Sequence, residues 1–145
     1  MPVDLHHYYV DAEQSQLRHY DGRQGDFPLV DDLVGLRFRF FGDAPTGAPE
    51  CQRGVPAAAS GSPVEIRLRE LSDGPWCGPA WLPFDADLLR ITAVAVDLRV
   101  QSAVEALRGA DPRFFARPGS ARGGRGLVPD HVVSFMVAPR NMSHR

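Results

Sequence analysis

Between Val94 and Val100 the apolar side chains fall at every second position: Val94, Val96, Leu98 and Val100, with Ala95, Asp97 and Arg99 between them. That is the two-residue period of a strand with one face buried. The spacing predicts a central strand in the run from Phe84 to Gln101, with those four residues as its core face. Leu89 and Ile91 precede it in the opposite phase, which predicts one inserted residue, a bulge, near Ile91 to Ala93.

A second run has the same period. Val34, Leu36, Phe38 and Phe40 alternate with Gly35, Arg37 and Arg39, so Leu36 and Phe38 are expected in the core of a second strand. Nearer the start, 7–10 and 16–20 are short β-prone runs around a polar turn, which reads as a hairpin. Phe27 to Asp32 is expected to form one helical turn. Val64, Ile66 and Leu68 alternate with Glu65, Arg67 and Arg69, giving a strand with a charged outer face. Three prolines between Ser72 and Pro83 break any regular ladder there, and Trp76 and Trp81 are expected to cap the core at that corner. Ser102 is placed to cap a short helix over 103–107. Val133, Phe135 and Val137 alternate as a last strand that ends before Pro139.

At 145 residues the chain fits one domain, and a chain this long buries about 70% of the surface its unfolded form exposes. The pattern is four or five mostly antiparallel strands with short helices at the joints: an α+β domain, or an all-β sheet that needs a cover. Residues 42–63 are rich in Gly, Pro, Ala and Ser and are expected to form a long flexible loop, and 117–126 a second one. No helix in the pattern is long enough to cover the apolar face of the sheet.

Charge singles out no partner class: the formal net charge is -2 and both signs are dispersed. All sixteen basic side chains are arginine. No run of 18 apolar residues and no signal-peptide pattern occurs in the sequence. The two cysteines, Cys51 and Cys77, close a 26-residue loop if they pair, worth about 3 kcal/mol in the chain-entropy model; otherwise they are two unrelated thiols. Neither has a nearby histidine or a C-x-x-C spacing, so no metal site is expected.

The remaining constellations read as structural. His6 and His7 are adjacent and would point to opposite sides of a strand. Asp31, Asp32, Asp85 and Asp87 lack the spacing of a calcium loop and are expected to be solvated or capping carboxylates. There is no G-x-S-x-G, and Ser134 falls on the outward side of its strand. The glycine-rich 119–126 stretch lacks the ending of a phosphate loop. Arg117, Arg122 and Arg125 are possible loop contacts to a partner, but no aromatic residues interleave them as in nucleic-acid readers. No catalytic residue and no cofactor are expected.

In order and spacing four segments resemble a known family: Tyr8 to Asp11 followed by Gln16 to Gly22; Pro28 to Phe41; Phe84 to Gln101; and Val128 to Asn141. The succession is similar to the periplasmic half of minor pilins and pseudopilins, the PilW-like and J-type proteins of type IV pili and type II secretion. The family's cleavage site and long apolar helix have no counterpart before Met1. The resemblance implies a single pilin-like head domain over 1–145, predominantly antiparallel β-sheet with short helices. It implies a non-enzymatic structural subunit that assists assembly of a pilus or pseudopilus, with other minor pilins as partners. No small-molecule substrate or nucleic acid is then expected. The setting would be the periplasm or cell surface, with membrane attachment only through a helix preceding Met1. In that setting Cys51 and Cys77 would form a periplasmic disulfide. The alternative from another class is a secreted or periplasmic β-rich module whose loops at 42–63 and 117–126 bind a glycan or DNA; a small hydrolase ranks behind it.

Overall fold

The computed structural model describes residues 6–44, 62–123 and 126–138. The described residues form nine strands: β1 (His7–Asp11), β2 (Gln16–Tyr20), β3 (Asp26–Val30), β4 (Leu33–Gly42), β5 (Val64–Ile66), β6 (Trp76–Cys77), β7 (Phe84–Asp85), β8 (Ile91–Val100) and β9 (His131–Val137). They make a three-stranded sheet in the order β1-β2-β3, a four-stranded sheet in the order β5-β4-β8-β9, and the pair β6-β7. Pairings within β1-β2-β3, β4-β5 and β6-β7 are antiparallel. The long strands β4 and β8 also run antiparallel, because Gln101 N donates to Asp32 O near one end and Asp43 N to Arg90 O near the other. The fold is therefore mostly antiparallel β-sheet. The helices among the described residues are short 3-10 segments at Leu68–Leu71, Ala86–Arg90 and Glu105–Leu107.

The chain divides into two compact units, the first from Met1–Leu36 with Asp97–Val133, the second from Arg37–Val96 with Ser134–Arg145. In the first, Asp11 closes the β1–β2 turn: its Oδ1 accepts from the Glu13 and Gln14 amides, while Ser15 takes a left-handed conformation with φ of 55°. Asp21 does the same for the β2–β3 turn, accepting from the amides of Arg23, Gln24 and Gly25. Leu33 and Phe115 are the buried apolar residues of this unit; Ile66, Cys77, Ala86, Ile91, Ala95 and Val96 are those of the second.

Several expectations are corrected here. Phe27 to Val30 belongs to an edge strand and not a helical turn: Pro28 keeps Phe27 out of helical backbone, and at an edge its missing donor is tolerated. Leu89 lies in the 3-10 turn at Ala86–Arg90, and β8 begins at Ile91. Of the expected core residues Val96 is buried, Val94, Leu98, Val100 and Leu36 are half-buried, and Phe38 is 49% exposed. The helices among the described residues are too short to cover a sheet face, so alternation alone does not bury these positions. Trp76 and Trp81 do not cap a core. Strand alternation turns Cys77 inward and leaves Trp76 exposed, and Trp81 sits 81% exposed outside any ladder.

Candidate functional site

In the three-stranded sheet the register His7↔Tyr20 through Asp11↔Gln16 sorts the side chains onto two faces. One is polar. Tyr9 Oη donates to Asp26 Oδ2 at 2.7 Å, and Arg18 Nε donates to Asp26 Oδ1 at 3.1 Å. The Tyr9 hydrogen bond, then Arg18, holds the Asp26 carboxyl below its ordinary range. The same bond raises the Tyr9 hydroxyl, since it must donate to a carboxylate.

The opposite face is apolar and aromatic. Tyr8 stacks on His19 with ring centroids 4.8 Å apart, and His19 stands opposite Phe27 across β2 and β3. His6 Nδ1 lies 2.9 Å from His19 Nε2, so His6 belongs to this face while His7 belongs to the other. Tyr8, Val10 and Phe27 are all exposed here, and Leu29, the extra residue where the β2–β3 register shifts, is exposed beside them. Such a face can be buried against another apolar surface or stack on planar groups.

The later part of this unit is knitted by hydrogen bonds. Asp130, its side chain 2% exposed, accepts from Arg99 Nε at 2.8 Å and from the Ala116 amide at 2.6 Å through Oδ2. Backbone bonds tie Gly119 to Gly109, Ser120 to Glu105 and Ala121 to Arg108. A side chain at Gly119 would overlap the Arg108 and Glu105 carbonyls, so only glycine fits there. Arg117 and Arg122 sit exposed beside this stretch; Arg125 lies outside the described residues.

In the second unit Asp85 is 1% exposed. Its Oδ2 accepts from the Gly74 amide at 2.7 Å and its Oδ1 from the Asp87 amide at 2.9 Å, which caps the 3-10 turn. Asp87 pairs with the buried Arg90, whose Nε donates to Asp43 O. These carboxylates are structural, and no group of three or more His, Cys, Asp or Glu is placed for a metal among the described residues. Cys77 is buried and disulfide-bonded. Cys51 and most of the 42–63 loop lie outside the described residues. Ser134 is exposed on β9.

Sequence reasoning missed a cleft of about 350 Å³ in the second unit, lined by Arg37, Phe38, Arg39 and Phe40 of β4 and by Glu65, Ile66, Arg67 and Leu68. β5 pairs with β4 only over Phe40↔Ile66, Phe41↔Glu65 and Gly42↔Val64. One step further the register would set Arg39 opposite Arg67, and like charges directly opposite oppose pairing. The chain instead leaves the sheet and turns into the 3-10 helix at Leu68. The legible signal was the matched alternation of arginine with apolar residues in both segments.

β9 is exposed at all seven positions, and Val132, Val133, Phe135, Met136 and Val137 are among the exposed large apolar residues. No family model, no curated protein and no solved structure matches this chain.

Proposed function

We propose that this chain is a non-enzymatic structural subunit of the minor pilin or pseudopilin type, working through side-by-side packing in a type IV pilus or type II secretion pseudopilus. The observation that carries the reading is exposed apolar strand surface: Val132, Val133, Phe135, Met136 and Val137 of β9, and Tyr8, Val10 and Phe27 on one face of the β1–β3 sheet. Exposed apolar patches of this kind mark surfaces that other chains cover. The succession of strand patterns named above supports the same reading, as does a disulfide at Cys77, a bond typical of oxidising compartments. None of the helices among the described residues is long and apolar enough to cross a membrane, so in this reading attachment to the inner membrane is the work of a helix preceding Met1. The setting is the periplasm or cell surface.

Mild cross-linking of source cells, followed by isolation of the native protein and mass spectrometry of its mature N-terminus, tests the proposal. The expected result is a methylated phenylalanine opening an apolar helix upstream of Met1, cross-links to pilin-like proteins, and a Cys51–Cys77 cross-linked peptide before reduction. A freely soluble monomer starting at Met1, without such cross-links, overturns it.

A further inference from the structure

The cleft beside β4 has two unlike sides and an open edge. Because alternate residues of a strand face opposite ways, Arg37 and Arg39 share one side with Phe41, and Phe38 and Phe40 share the other. The β4–β5 register puts Glu65 with Phe41, and Ile66 with Phe40. Arg39 confirms this sorting, since its guanidinium lies 5.7 Å from the centre of the Phe41 ring. One side of the cleft thus carries the exposed guanidinium of Arg37, and the other carries Phe38, Phe40 and Ile66, while Arg67 and Leu68 line its end where the chain leaves the sheet.

Between these sides the β5 flank of β4 is only partly paired among the described residues. β5 covers only Phe40 to Gly42, so Arg37 to Arg39 present a strand edge that no described strand occupies on that flank. Such an edge accepts an added strand through its main-chain groups. A second copy of this edge is a poor occupant, because pairing β4 with itself would bring Arg37 and Arg39 against the same arginines. Arg37 and Arg67 are exposed, and neither pairs with a carboxylate among the described residues. Guanidinium groups in such positions take carboxylates in two-pronged hydrogen bonds. Phe38 and Leu68, 49% and 72% exposed, await an apolar partner on the other side.

From this geometry we infer that the cleft of the second unit binds an extended acidic peptide segment of a partner protein, added as a strand along Arg37 to Arg39. Its carboxylates alternate with apolar side chains: the first meet Arg37 and Arg67, and the second meet Phe38 and Leu68. The inference does not rest on the assembly reading above, and a partner of any origin with that alternation would serve.

Fluorescence anisotropy with a labelled hexapeptide of alternating glutamate and valine tests it on the full chain. Binding is expected, weakening with added salt as charge pairing is screened. The peptide with lysine in place of glutamate, and the acidic peptide with alternate backbone nitrogens methylated, should not bind. Arg37→Glu and Arg67→Glu are each expected to weaken binding at least about tenfold, the loss of one charge-assisted contact. Circular dichroism checks that each variant stays folded. Should a reversal unfold the protein, Arg67→Gln replaces it with the same expected direction. Absence of binding, equal binding of the lysine or methylated peptide, or affinity unchanged in the folded arginine variants overturns the inference. Equal competition by free glutamate would also overturn it, pointing to a small carboxylate ligand instead. None of these failures alters the cross-linking result that tests the assembly reading.

Discussion

The two compact units hold themselves together by different means. The second encloses Ile66, Cys77, Ala86, Ile91, Ala95 and Val96 and sets its buried polar groups, Asp85 and Arg90, against backbone partners. The first has Leu33 and Phe115 as buried apolar residues and relies on strand register, turn-closing carboxylates and the Arg99–Asp130–Ala116 junction. The difference teaches that a meander with few buried apolar side chains among its described residues is defined by directional hydrogen bonds, whereas a unit that closes around side chains is defined by the hydrophobic effect. The first should yield to changes in protonation and the second to changes in volume.

The largest expected effect lies in the second unit. Ile66 is 1% exposed, and Ile66→Ala should cost about 2–5 kcal/mol, lost transfer energy plus the cavity left behind. Urea denaturation measures this, and a cost no larger than that of an exposed-site substitution would erase the contrast. In the first unit, Asp130→Ala strands the Ala116 amide and Arg99, and about 1–3 kcal/mol should go with them. Amide hydrogen exchange sharpens this test. Protection at Ala116 should fall while protection around Ile66 stays, and equal losses at both would show that the units do not behave separately.

The smallest effect is one of pH. The displaced carboxylates Asp21, Asp26 and Asp111 all belong to the first unit. Asp26 is held below its ordinary value, so its contribution is fully present above the unfolded value, about 3.9, and is lost as pH falls through the lower folded value. Tyr9 is shifted the other way. Its contribution is present below about pH 10, the unfolded value, and lost as pH rises through the folded one. The stability gap between the native chain and Asp26→Asn should therefore be flat between these limits and narrow at both ends. A gap that widens in acid would reverse the assignment.

How much of this was legible in the sequence follows from the range of the forces involved. Strand positions were readable, because the two-residue period is written residue by residue in Val34 to Phe40 and Val94 to Val100. The β1–β2 hairpin was readable from its local β-prone runs and polar turn. The edge strand at Asp26–Val30 was not recognised, although Pro28 held the cue. Burial was out of reach: Phe38 and Val96 stand in the same kind of alternating pattern, yet one is exposed and the other buried, because burial depends on what lies across the face. Asp85 looked like an ordinary surface or capping carboxylate until the Gly74 amide, eleven residues away, was brought against it.

The sequence by itself determined the alternating strands β4 and β8, the β1–β2 hairpin, the mostly antiparallel class and the alternation of arginine with apolar groups along two segments. These are set by backbone sterics and side-chain periodicity within a few residues. Only the tertiary structure decided which alternating residues are covered, that Asp26 gathers Tyr9 and Arg18, and that Arg37, Arg39 and Arg67 converge on one cleft. Those outcomes depend on pairing between segments far apart in the chain, where local pattern states a preference for a face and the partner strand determines what the face meets.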